Sequence, residues 1–120
     1  VFIASPEYNS SITPLLKNTL DWVSRVRERG DPTYAAFKGR VFAISSASPG
    51  RAGGLRSLMA LRQILELGCG ALVIPEQVAI QRADTAFDEM DNITDGAIAS
   101  QLRTQLERLV DMARMMVRGV

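Results

Sequence analysis

Two stretches of this chain hold residue types from which a ligand grip can be built. The first is Ser5-Pro6-Glu7-Tyr8-Asn9-Ser10-Ser11-Ile12-Thr13-Pro14, and the second is Ser48-Pro49-Gly50-Arg51-Ala52-Gly53-Gly54-Leu55-Arg56. Each follows an apolar run and leads into a helical pattern, so each offers unpaired backbone N–H groups at the positive end of a helix dipole. Gly50, Gly53 and Gly54 let backbone approach a flat ligand with no side chain between. A planar ring with carbonyl oxygens and ring nitrogens along one edge, as in an isoalloxazine, suits such donors. Donors fixed where negative charge develops on reduction favour that reduction without reorganising. The second stretch is no P-loop, because no Gly-Lys-Ser/Thr follows its glycines. Gly-rich strand-to-helix loops also occur in α/β domains without a ligand, and composition alone leaves both readings open.

Several other chemistries are excluded by composition. The 120 residues include no histidine and one cysteine, Cys69. Ser-His-Asp triads, histidine-ligated metals, cysteine-based zinc clusters and internal disulfides are therefore out of reach. Cys69, between Gly68 and Gly70, reads as a small buried hydrophobe. Asp84, Asp88, Glu89, Asp91 and Asp95 lack the Asp-x-Asp-x-Asp-Gly core of a calcium loop and read as a solvated acidic segment. A net charge of +1 with few aromatics gives no argument for nucleic acid or for an anionic membrane. No apolar run approaches the roughly 20 residues of a membrane span, and no signal pattern opens the chain, so a cytoplasmic protein is expected.

The elements that must position the two loops alternate between strand and helix, which predicts one α/β domain over residues 1–120 with a parallel sheet covered by helices. Residues 1–4 read as a buried strand, with something expected to precede them. Thr13 as N-cap and Pro14 at the first helical position start a helix expected to end at Gly30, with Arg25, Arg27 and Arg29 near its negative end. Residues 41–45 form a second strand and 55–67 a second helix stopped by Gly68. Residues 71–74 form a third strand closed by Pro75, and 81–92 a loop. Thr94 caps a long last helix on which Ile98, Leu102, Leu106, Leu109, Ala113 and Met116 recur at helical spacing. Met112, Met115 and Met116 read as packing residues.

Ser5-Pro6-Glu7-Tyr8-Asn9-Ser10-Ser11-Ile12, with Leu16-Lys17-Asn18 and Asp21-Trp22 beyond it, resembles the Pro-Glu-Tyr-Asn-Gly/Ser-Ser signature of the NADPH-dependent FMN reductase family, which includes azo, quinone and chromate reductases. Ser46-Ala47-Ser48-Pro49-Gly50 with Gly53-Gly54-Leu55-Arg56 is similar to that family's second flavin loop, one strand later. The resemblance implies a flavodoxin-like three-layer sandwich that uses FMN and NADPH or NADH to reduce a small acceptor such as free flavin, a quinone or an azo compound. It implies that Pro6, Glu7, Tyr8, Asn9, Ser10 and Ser11 line the isoalloxazine, and that Ser48, Pro49, Gly50, Gly53 and Gly54 approach its pyrimidine edge. Arg51 is left to flavin, nicotinamide phosphate or a neighbouring subunit. It implies no side chain acting as catalytic acid or base and no metal, and a homodimer or homotetramer.

One departure matters. Family members begin with a strand, a phosphate loop, a helix and a second strand that are absent here, so these strands correspond to the third, fourth and fifth. The first strand would then be an unpaired apolar edge, covered by self-association or strand exchange. Poor FMN binding by this stretch alone is expected. Two alternatives are a flavodoxin-like electron carrier and a cofactor-free oligomer.

Overall fold

The structure, a computed structural model, describes residues 1–118. Its elements run β1 (Phe2–Ser5), α1 (Pro14–Val23), β2 (Val41–Ala47), α2 (Leu55–Arg62), a wider π-helical turn (Gln63–Gly68), β3 (Leu72–Val73), β4 (Val78–Ile80) and α3 (Gly96–Arg118). All strand pairings are parallel and all involve β2. β2 reads as a continuous apolar and small-residue run because both its faces are covered, and residues 41–46 are all buried.

Alternation along β2 divides the core. Phe42 and Ile44 point to one face, where Leu20 of α1, Leu58 and Leu61 of α2, Leu65 and Phe37 pack. Val41 and Ala43 point to the other, where Ile74, Leu109, Met112, Ala113 and Met116 lie. Phe37 and Phe42 stack with ring centroids 5.7 Å apart. The three layers and the parallel sheet are those the sequence predicts. Met112 and Met116 are core packing as expected, whereas Met115 is exposed.

Four local expectations are corrected. α1 stops at Val23, not at Gly30, because the Ser24 hydroxyl takes the Asp21 carbonyl at 2.6 Å and the last turn tightens into i→i+3 bonds at Arg25 and Val26. Arg25, Arg27 and Arg29 therefore lie beyond the helix. The second helix changes from α to π geometry after Arg62. Asp95 caps α3 in place of Thr94: its carboxylate accepts the N–H groups of Ala97 (2.8 Å) and Ile98 (3.3 Å), while the Thr94 hydroxyl donates to the Ala86 carbonyl.

The fourth correction bears on the site. The chain does not leave the sheet at Pro75 but resumes as β4 on the same side of β2, with the register slipped by two residues. Proline breaks the ladder because it has no N–H. Side chains from both faces stitch the break: both terminal nitrogens of Arg62 reach the Ile74 carbonyl at 3.2 Å, and Gln105 Nε2 donates to the Glu76 carbonyl at 3.1 Å.

Gln105 is fully buried, and the same Nε2 also donates to the Ile44 carbonyl at 2.8 Å while Oε1 accepts from the Ser45 hydroxyl at 2.7 Å. Gln105→Leu keeps the volume and strands three polar groups, so it should destabilise by about 2–4 kcal/mol in urea unfolding. A loss below about 0.5 kcal/mol would show that α3 is not tied to the sheet through this side chain.

Candidate functional site at the carboxyl ends of the strands

Because β1 and β4 both run parallel to β2, their exits fall at one end of the sheet. Ser5 pairs with Ser46 and Ala47 with Ile80 in register. The loops after β1, β2 and β4 therefore start side by side, where an open parallel sheet collects ligands.

The first loop folds on itself. Tyr8 and Ser11 exchange both backbone hydrogen bonds (2.9 and 3.1 Å), and Asn9 and Ser10 between them have φ of 51° and 68°. Two adjacent left-handed residues closing a two-residue turn form a type I′ turn, for which Asn is favoured. Tyr8, Asn9 and Ser10 are exposed on it, while Ile12 is buried and anchors the return. Thr13 Oγ1 then accepts the Leu16 N–H at 3.0 Å, the predicted N-cap, with Pro14 at the first helical position.

Glu7 joins the loops. Its Oε1 accepts the N–H of Ser57, in the first turn of α2, at 3.0 Å, and its Oε2 lies 3.7 Å from the Arg56 guanidinium. Gly54, the N-cap of α2, has no side chain to cap that turn. A carboxylate from the other loop fills the vacancy and meets the positive end of the helix. The Glu7 side chain thus faces α2.

The second loop is tied to the segment after β4. Arg82 N–H donates to the Gly50 carbonyl (3.2 Å), Ala83 N–H to the Ser48 carbonyl (3.0 Å), and Ser48 N–H to the Ile80 carbonyl (3.0 Å). Gly53 and Gly54 are buried, with φ of 62° and 88°. A Cβ on Gly53 would come within 2.7 Å of the Ala79 carbonyl oxygen, and one on Gly54 within 2.7 Å of Ser46 Cβ. Packing inside the protein by itself requires glycine at both positions. Gly50 differs: it is exposed, and a Cβ there would meet nothing within 4 Å. Pro49 and Arg51 are exposed beside it, and Ser48 is half-buried. Among the described residues the N–H groups of Gly50, Arg51 and Ala52 donate to no protein acceptor. Tyr8, on the neighbouring loop, is an exposed aromatic residue at this end of the sheet.

The loops open onto different concavities. Pro6 joins Phe2, Ala4, Ile80, Phe87 and Leu102 in an apolar groove of about 330 Å³ along β1. Pro49, Gly50 and Arg51 line a shallow pocket against residues 82–85. Phe2 is exposed, and among the described residues β1 pairs on one side only, as the sequence predicts.

Ser57 is a residue that sequence reasoning left out of the site, and Arg56 stood in the second stretch without a role, although a helix starting on Gly54 signals a cap from elsewhere. The acidic segment is ordered by Asp88, whose carboxyl is held below the usual range, first by the Asn92 N–H and further by that of Met90, each 2.9 Å away. Cys69 is buried, and burial first, then Asp21, pushes its thiol up, away from a reactive thiolate. Among the described residues no group of His, Cys, Asp and Glu can hold a metal, and no helix is long and apolar enough to cross a membrane.

Glu7→Ala should cost about 1–2 kcal/mol in urea unfolding, as loss of a helix cap does. Glu7→Gln retains an acceptor and should cost less than half as much. Equal stability of the wild type and both variants would remove Glu7 as the link between the loops.

Comparison with known proteins places this geometry. The model of the NADPH-dependent FMN reductase family matches residues 1–85, which include both loops. An NAD(P)H-dependent FMN reductase of Pseudomonas aeruginosa is 38% identical over 110 residues, covering 91% of this chain and 56% of that protein. A quinone reductase of Escherichia coli is 40% identical over 65 residues, 54% of this chain and 31% of the relative. Among solved structures, the flavoenzyme NAD(P)H:(acceptor) oxidoreductase FerB of Paracoccus denitrificans superposes with a TM-score of 0.78 at 27% identity, over 97% of this chain and 61% of that one. The chain thus spans 56% of the length of the Pseudomonas relative. With a flavodoxin-like parallel sheet and both signature loops inside the matched region, the chain belongs to the NADPH-dependent FMN reductase family.

Proposed function

We propose that this chain carries the ring-gripping half of a flavin site, in a protein that passes electrons from NAD(P)H to a small acceptor such as free flavin, a quinone or an azo compound. The observation that carries the reading is the Glu7–Ser57 bond, which fastens one signature loop to the helix that the other begins. Bound FMN would supply the two-electron chemistry, and the protein supplies binding, orientation and electrostatics. Gly50, Arg51 and Ala52 present N–H donors to the ring's acceptor edge. Tyr8 offers a stacking face, and Asn9 and Ser10 hold the turn that carries it. Pro6, Ser11, Ser48 and Pro49 shape the loops. No side chain is assigned acid or base duty, since a hydride acceptor needs none from the protein. Homo-oligomeric assembly and a cytoplasmic location belong to the same proposal.

The space at Gly50 makes it a cleaner probe than Gly53, where a larger residue would disrupt packing against Ala79. Gly50→Val should weaken FMN binding about tenfold, equivalent to about 1.4 kcal/mol, with urea stability unchanged. Tyr8→Ala should weaken it about three- to tenfold through lost stacking. Flavin fluorescence quenching measures both, and anaerobic bleaching by NADPH follows the electrons. Affinity and bleaching untouched by either variant would defeat the site assignment.

A further inference from the structure

A second concavity lies beside the ring-gripping loop. Pro49, Gly50, Arg51, Arg82, Asp84 and Thr85 line a pocket of about 400 Å³. Backbone builds it: Arg82 N–H is bonded to the Gly50 carbonyl at 3.2 Å, and Thr85 N–H closes a turn on the Arg82 carbonyl at 3.0 Å. These bonds hold the segment bearing Arg82 against the loop bearing Arg51, so two arginines from separate loops face one space.

Among the described residues neither guanidinium has a partner. The ion pairs of the described residues join Lys17 to Asp21, Arg56 to Glu7, Arg62 to Glu66 and Arg108 to Glu76. Asp84, the carboxylate in the pocket lining, stands outside those pairs as well, and two arginines against one aspartate leave the pocket positive. Arg82 moreover has φ of 50°, a left-handed backbone that disfavours a non-glycine residue. Such strain collects at sites where a side chain must be aimed. Two like charges brought to one pocket, with Asp84 the single carboxylate in its lining, leave a net positive charge that an anion would balance. Paired guanidinium groups match the oxygens of a phosphate better than those of a halide or a lone carbonyl.

We propose that Arg51 and Arg82 form a phosphate-monoester site next to the flavin-ring loop. Resting on the NAD(P)H reading above, the favoured source is the 2′-phosphate of NADPH, which an arginine commonly recognises where dinucleotides are told apart. The two residues then set the preference for NADPH over NADH. The 5′-phosphate of FMN has the same chemistry and is the other source.

Calorimetric titration of the full chain with 2′,5′-ADP and with 5′-AMP separates these cases without any redox turnover. Wild-type protein should bind 2′,5′-ADP about tenfold more tightly than 5′-AMP, and Arg51→Ser/Arg82→Ser should abolish that advantage. Titrations of both proteins with FMN and riboflavin form the second arm. Loss of FMN binding in the variant, with riboflavin and 2′,5′-ADP unchanged, keeps the phosphate site and assigns it to the flavin. If neither phosphate-bearing probe loses affinity in a folded double variant, the site is overturned. Wild-type protein that binds 2′,5′-ADP but not FMN leaves this site standing and counts only against the flavin reading.

Discussion

Parallel pairing on both sides of β2 is the constraint from which the rest follows. β1 bonds to one side of β2, and β3 and β4 share the other, all in the same direction. A strand with both faces and both edges occupied must be apolar or small throughout, and buried Val41, Phe42, Ala43 and Ile44 meet that demand. The same pairing sends three loops out at one end, so chemistry-bearing residues far apart in sequence become neighbours without any having to travel.

What ties the neighbouring loops together is the use each makes of the other's unmet hydrogen-bond capacity. Gly54 leaves the first turn of α2 without a cap, and Glu7 arrives from the opposite loop to supply it. Gly53 and Gly54 in turn let the second loop lie so close to Ser46 and Ala79 that a Cβ would not fit. Hydroxyl groups finish the underside: Ser46 donates to the Gly53 carbonyl at 2.6 Å and Ser57 to the Gly54 carbonyl at 2.7 Å. On the outer part of the loop, among the described residues, the N–H groups of Gly50, Arg51 and Ala52 donate to no protein acceptor. Preorganised donors of this kind need no rearrangement when a ligand edge meets them.

Much of this was legible in the residues. The apolar run of β2, the Thr13-Pro14 helix start and the two loop compositions follow from local rules. The family follows from two motifs in the right order. What escaped was set by tertiary contacts. Pro75 reads as the end of a strand, and only Arg62 and Gln105, distant in sequence, make it possible for the strand to resume. The three residues of β4 are too few to show periodicity. The early stop of α1 turns on a competing Ser24 hydroxyl, which a hydrophobic pattern does not register. Glycines in the second loop read equally as ligand clearance or as packing, and the packing at Gly53 and Gly54 shows only once the positions of Ala79 and Ser46 are known. Glu7 stands in the first loop by sequence, but its direction, toward α2, is not encoded locally.

Amide hydrogen exchange of the full chain with and without saturating FMN tests the ring-gripping geometry most directly. Exchange at Gly50, Arg51 and Ala52 should slow on adding FMN, because free donors become bonded ones, while α1 and the residues around Tyr34 stay unchanged. Unaltered exchange across residues 50–52 with flavin bound, or protection confined to the α1 side of the sheet, would contradict the account.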